Sequence, residues 1–360
     1  MRRWFLLVLI LALVTAAPAA AAGAAPTWTK AAGWHGGATY VSCVSKSFCA
    51  GVVWNTATHV PDTSVFNGQH WSSLQPLPGA DITSDDSPVV ESISCSSRNF
   101  CLLVGNTQVP DNQHAYSSEG QGFYATFDGQ TWSPAQQSGS LQVDNVSCLS
   151  ATLCYGVARD NQWRSIAVFN GHNWRTTQAR TDVYYSAISC ANARFCVAVG
   201  KVGSPGTEQD PGIATAFNGR SWSKLVRMSN PSGLEAVDCP RTGFCLAVDH
   251  IGGARTFNGH AWSRRQSVPL GGPHPTFLGS VTCASSHFCL VGGDAGSTDV
   301  GWAIPFNGHA WGRTSRVDAH DPVWSNTFSC PSAYFCVGGG TGDIWASRNQ
   351  NNFVSTKRRG

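Results

Sequence analysis

Fourteen cysteines stand in seven pairs, and every pair encloses five residues: Cys43 and Cys49, Cys95 and Cys101, Cys148 and Cys154, Cys190 and Cys196, Cys239 and Cys245, Cys283 and Cys289, Cys330 and Cys336. A second signature follows six of the pairs, reading FNGQHW, FDGQTW, FNGHNW, FNGRSW, FNGHAW and FNGHAW and ending at Trp71, Trp132, Trp174, Trp222, Trp262 and Trp311. Two motifs that keep one order through the chain define a repeat of about 48 residues, the period range of stacked or radial architectures. A unit that short cannot bury a core alone and must pack on its neighbours.

Each unit reads as four strands. The first ends at the leading cysteine, in YVSC, SISC, NVSC, AISC, AVDC, SVTC and TFSC. The second starts at the next cysteine and is apolar throughout, as in FCVAVG from Phe195 to Gly200, which suits a strand covered on both faces. The third runs into Phe-Asn-Gly or Phe-Asp-Gly, and the fourth begins near Trp. Asn-Gly favours a tight hairpin, and a type I′ turn with positive φ at both central residues is expected there. Seven four-stranded sheets close into an all-β, seven-bladed propeller, which also protects their edges. Closure has two candidate outer strands, because Trp28 in TWTK precedes the first unit and Phe353 in NNFVST follows the last. The preferred scheme is a clasp, in which the Trp28 strand completes blade seven.

The Ser-Cys-x5-Cys strand pair followed by Asn-Gly-x-x-Trp resembles secreted bacterial β-propeller repeat proteins. Thr126, Asp128, Gly129 and Trp132 resemble a shortened Asp-box, the hairpin of sialidase-type propellers, with one residue fewer between Asp and Gly. The likeness is to a hairpin and spans nearly the whole repeat region, but it implies a fold and no particular activity.

The cysteines read as one disulfide per blade, across the neck of the hairpin between the first two strands. Such a link closes about seven residues and is worth roughly 2 kcal/mol on the chain-entropy model. Zinc is the rival reading, but zinc sites pool four ligands in one place and favour shorter Cys-Cys spacings. Seven disulfides imply an oxidising compartment. A matching leader is present: Arg2 and Arg3, an apolar run to Val14 and an alanine-rich stretch to Ala25 are expected to be a cleaved signal peptide, residues 1–25, leaving 26–360 as one propeller domain, secreted and extracellular. No transmembrane segment is expected. The formal charge of +3 argues against nucleic acid as a partner and against a polybasic lipid-binding patch. A monomer is expected, with no cofactor and no metal.

In a propeller the first-to-second and third-to-fourth loops share one face, here the regular Cys-x5-Cys and Asn-Gly loops. The irregular connections share the other, and a site is expected there. Four residues before the leading cysteines lie Thr39, Glu91, Asp144, Ser186, Glu235, Gly279 and Asn326. Glu91, Asp144 and Glu235 are the ligand-binding candidates at the channel mouth, against the plainer reading of solvated side chains. Trp34, Tyr184 and Trp324, with Tyr185 and Phe277, are aromatic candidates for stacking on sugar rings or for packing between blades. His172, His260 and His309 follow Asn-Gly one per blade, too dispersed for a shared metal.

No catalytic residues are assigned. A glycosidase needs two carboxylates across the scissile bond, and Glu91, Asp144 and Glu235 are the carboxylates in position. A sialidase would also need arginines converging beside a tyrosine, and the sequence alone shows no such cluster. The leading expectation is a non-catalytic binding scaffold for carbohydrate, cell-envelope material or protein. A glycoside-active enzyme and a purely structural envelope protein are the alternatives.

Overall fold

The apolar run after each second cysteine forms the second strand of its blade, buried almost end to end in Phe195–Val202 and on every residue of Phe244–Asp249. The computed structural model describes residues 28–80, 87–108, 120–160, 163–180, 182–203, 210–229, 232–269, 277–294, 301–317 and 328–348. Around each second strand the chain builds an antiparallel four-stranded blade, such as Ser87–Ser97, Phe100–Gln108, Gly122–Phe127 and Gln136–Gly139 in blade 2. Seven blades close the ring. In four of them the outermost strand is only two residues long, as in Gln75–Pro76, which leaves little free edge.

Both motifs have packing explanations. In blades 1 and 4 the phenylalanine before the second cysteine stacks on the hairpin phenylalanine of the next blade, Phe48 on Phe127 at 6.1 Å and Phe195 on Phe257 at 6.1 Å. Blade 7 meets blade 1 in the same way, Phe335 on Phe66 at 6.0 Å. Within each hairpin the Phe and Trp pair at a tilt, as Phe169 and Trp174 do at 5.3 Å, an arrangement worth about 0.5–1.5 kcal/mol beyond area burial. Between blades 2 and 3 this apolar layer joins Leu102, Val104 and Tyr124 to Val143, Ala167 and Phe169.

The disulfides form one per blade, with all seven pairs local and Cα atoms 3.9–4.2 Å apart. Beside them runs a second fastening. The residue just before each leading cysteine accepts a hydrogen bond from the backbone N–H of the next blade's leading cysteine. Ser42 accepts from Cys95, Ser94 from Cys148, Ser147 from Cys190, Ser189 from Cys239, Asp238 from Cys283, Thr282 from Cys330, and Ser329 from Cys43, at 2.6–3.1 Å. The last of these closes the circle. The ring lines a central cavity of about 210 Å³. Asp238 is its one carboxylate and also accepts from the Ser189 hydroxyl at 2.9 Å. Burial pushes its carboxyl above the ordinary range, opposed by these hydrogen bonds.

The clasp is present. Trp28–Ser45 is one long strand whose first half pairs with Thr341–Arg348 as the fourth strand of blade 7 and whose second half is the inner strand of blade 1. Its register explains the count of tryptophans. In the other blades the second cysteine faces the hairpin Phe, as Cys101 faces Phe127, and that Phe faces Trp132. In blade 7 Cys336 faces Ser347, and Ser347 faces Trp28. Trp28 is thus the seventh blade tryptophan. Phe353 lies outside the described residues.

The hairpin turns differ from the expected type I′. Only the glycines have positive φ, 90–100° at Gly68, Gly129, Gly171, Gly219, Gly259 and Gly308. The preceding Asn or Asp instead uses its side chain: Asn67 Oδ1 accepts from the N–H of Gln69 and of His70, both at 2.9 Å, and Asp128 does the same. The loop is therefore four residues closed by an Asx turn, so the Asn matters for its acceptor and not for a left-handed backbone. Among the described residues no helix is long and apolar enough to cross a membrane.

Candidate functional site

In blades 1 to 6 the leading cysteine lies near the stapled end of the inner strand, and the position four residues earlier lies toward the irregular loops. In blades 2 to 6 that position is a β-bulge. Glu91, Asp144, Ser186, Glu235 and Gly279 are each the extra residue, skipped by the register between Val90 and Ser92 and its equivalents. A bulge re-aims a side chain that regular pleating would commit to one face. The bulges carry carboxylates at blades 2, 3 and 5.

Glu91 Oε1 accepts a hydrogen bond from Asn106 Nδ2 at 2.8 Å, with Arg159 Nη2 3.9 Å from the same oxygen. Burial, and then the charge of Asp144, raise its carboxyl to about 7, against the opposing pull of Asn106 and Arg159. Asp144 lies between two arginines, 3.3 Å from Arg159 Nε and 3.2 Å from Arg164 Nη1. Burial still lifts its carboxyl above the usual range, and the arginines hold it back. Arg159 also donates to Gln142 Oε1 at 2.8 Å, and Gln142 in turn donates to the carbonyl of Gly120. Arg164 covers the ring of Tyr184 at 3.8 Å, with the Lys201 ammonium 5.9 Å from the same centroid. Burial raises the Tyr184 phenol, with Asp144 and, more weakly, Glu235 adding to it. Tyr40 is raised by burial and by Glu91.

The result is a connected polar rail from blade 2 to blade 4, in the order Asn106, Glu91, Arg159, Asp144, Arg164 and Tyr184, with Glu235 of blade 5 beyond it. Acid and base alternate along it. Of the sequence candidates, the fold brings together Glu91, Asp144 and Tyr184, with Glu235 near Tyr184. Trp34 stands apart: it is 7% exposed and packs edge-on against Trp71 at 5.1 Å, in the seam of blade 1. Tyr185 is buried in the blade 4 core and Phe277 meets His250 at a tilt, ring centroids 4.4 Å apart. Trp324, like Asn326, lies outside the described residues. With Trp34 buried and Arg164 over Tyr184, neither ring offers a bare face to a sugar.

Arg159 and Arg164, unassigned in the sequence, are central. They flank the loop between the second and third strands of blade 3, on Leu153–Asp160 and Trp163–Phe169, and register brings that loop level with Asp144. The available signal was the spacing, two arginines on either side of a short connection in the one blade whose bulge residue is aspartate. Arginines therefore do converge beside a tyrosine, but both are engaged by Asp144.

No protein-family model matches the chain, and no curated protein matches it in sequence. Solved structures do match it in shape. YCF48 bound to D1 peptide superposes with a TM-score of 0.58 at 13% identity, over 89% of this chain and 96% of that one. YCF48 from Cyanidioschyzon merolae gives 0.59 at 11% identity, over 90% and 99%. The Hadza microbial sialidase Hz136 gives 0.52 at 11% identity, over 87% of this chain and 66% of the sialidase. At such identities the likeness defines a class by its fold, the seven-bladed β-propeller, to which this disulfide-stapled chain conforms along most of its length.

Proposed function

We propose that this protein is an exported, non-catalytic binding scaffold that holds a polypeptide segment across the irregular-loop face, with residues 1–25 its cleaved leader. The observation that carries the reading is the internal neutralisation of the rail. Asp144 engages Arg159 and Arg164, so neither arginine is free to capture a substrate carboxylate, while the row of alternating donors and acceptors matches a peptide backbone with polar side chains. Rigid blades present these groups without an ordering cost on binding. Seven disulfides fit a chain that matures in an oxidising compartment. That YCF48 was solved with a bound peptide supports a polypeptide ligand for the fold.

One observation favours a second reading, a glycoside-active enzyme. Glu91, with its carboxyl raised to about 7, has the protonation behaviour of a general acid, and Asp144 is a neighbouring carboxylate. A peptide array and a panel of chromogenic glycosides separate the two. Peptide binding that falls at least about tenfold in Asp144→Asn or Arg164→Gln, the loss of about one charge-assisted hydrogen bond, supports the scaffold. Hydrolysis of a glycoside that disappears in Glu91→Gln overturns it.

A further inference from the structure

The formal charge of +3 is small, but the fold sorts its components by face. The Cys-x5-Cys loops carry Lys46, Arg98, Arg194 and Arg241, and the hairpin turn of blade 4 carries Arg220, all exposed. Loops and turns make one surface, since Gly68, Gly129, Gly171 and Gly219 of the turns lie against Ser47, Asn99, Thr152 and Arg194 of the loops. Just beyond the blade tryptophans, exposed Arg175, Lys224, Arg264 and Arg313 extend the charge along the outer edges of blades 3 to 6.

Among the described residues no ion pair joins any of these nine cations to a carboxylate, whereas at the opposite ends of the blades Arg159, Arg164, Arg180 and Arg265 are paired and the exposed Arg227 acts on Asp182 through its charge. Among the described residues the exposed carboxylate on the stapled surface is Asp128, whose Oδ1 is taken by the N–H groups of Gln130 and Thr131. Surplus positive charge, spread over six blades and held on loops that disulfides make rigid, is the condition for attracting a polyanion by counterion release.

We infer that the stapled face binds an extended anionic glycan, a polysaccharide bearing sulfate, carboxylate or phosphate groups. The cations are separated by whole blades and converge on no pocket, so the ligand is a polymer and not a small anion. Exposed His70, His172, His260 and His309 stand among the cations as hydrogen-bond partners for sugar hydroxyls. Single-stranded nucleic acid is disfavoured because it would use aromatic stacking platforms, and among the described residues Tyr334 is the large exposed aromatic of this face. An oxidising compartment is also where such glycans are met. The inference is independent of the ligand on the irregular face.

The test uses the full-length mature protein and fluorescein-labelled dextran sulfate, with neutral dextran and a DNA duplex of matched length, titrated by anisotropy from 50 to 300 mM salt. Dextran sulfate is expected to bind, to weaken steeply with salt, and to bind at least about tenfold more weakly to K46S/R98S/R194S/R220S/R241S. The edge variant R175S/K224S/R264S/R313S, whose side chains are exposed, is expected to lose about as much, and Ser186→Ala nothing. Equal binding of neutral dextran, a salt-independent affinity, or full affinity in both folded cation variants would overturn the inference. Tighter binding of the duplex than of dextran sulfate would overturn the assignment to a glycan.

Discussion

Two sets of residues sit three positions apart on the inner strands, and they behave oppositely. The ring beside the cysteines is nearly uniform, five serines, one threonine and Asp238, and every member does the same thing: it accepts the next blade's cysteine N–H. The set on the bulges of blades 2 to 6 holds two glutamates, an aspartate, a serine and a glycine, and those that bind a neighbour each bind a different one. Where a repeat keeps its symmetry, the shared residue answers a shared structural demand. Where symmetry is dropped at equivalent positions, some other demand has replaced it, and blades 2 to 4 are where that has happened most.

The comparison can be broken at several levels. The largest effect is expected from a chain that begins at Gly36 and so lacks the clasp. Blade 7 loses its outer strand and the Trp28 contact with Phe328 at 5.4 Å, a loss on the order of 5 kcal/mol and about 10 °C in Tm for a protein of this size. Calorimetry checks it, and an unchanged melting curve would mean that the symmetric ring holds without closure.

Next comes pH. The carboxyl of Glu91 is raised from its ordinary value to about 7 in the folded state, so between about pH 4.5 and 7 the folded chain binds a proton that the unfolded chain has released. Stability must then fall as pH rises through that window, by on the order of 2 kcal/mol for a group still partly exposed, and level off above it. Glu91→Gln should flatten this slope in denaturant titrations at pH 5 and pH 8; a wild-type curve of equal stability at both would contradict it.

A direct contrast of the two sets comes from one strand. Ser189→Ala removes the acceptor of the Cys239 N–H and a donor to Asp238, and should cost about 1–3 kcal/mol. Ser186→Ala, three residues away on a bulge, should cost less than about 0.5 kcal/mol, as substitutions outside such networks do. Equal costs would remove the distinction between the sets.

How legible these features were follows from their periodicity. Repeat number, disulfide pairing, apolar second strands and the Trp28 clasp all rest on residues that recur once per blade, so seven copies average away local accident. The hydrogen-bonded ring was also periodic, visible as Ser, Thr or Asp before each leading cysteine, but nothing in one strand says that its partner is in the next blade. The site was harder because it is the exception to the repeat. Glu91, Asp144 and Glu235 stood out by position, whereas Arg159 and Arg164 act from two other strands and have no counterpart in the motif. Trp34 left sugar stacking and packing between blades both open in sequence, and the seam of blade 1 covers it. The charged face was hidden by summation, since a net charge near zero says nothing about how carboxylates and guanidinium groups divide between the two ends of a strand.

The pairing of Trp28 with Ser347 also sets an order of events in time. The first strand to emerge during synthesis finds its partner only when one of the last has been made, so six blades exist before the circle can be joined. Throughout that interval the inner strand of blade 1 has its Cys43 N–H waiting for Ser329, and the apolar flank that will receive Phe335 is bare. Contacts this distant along the chain are slow to form. Until closure the nascent molecule is an open arc with two adhesive ends, able to join another arc as well as itself, and dilution or a holding partner during folding would decide which happens.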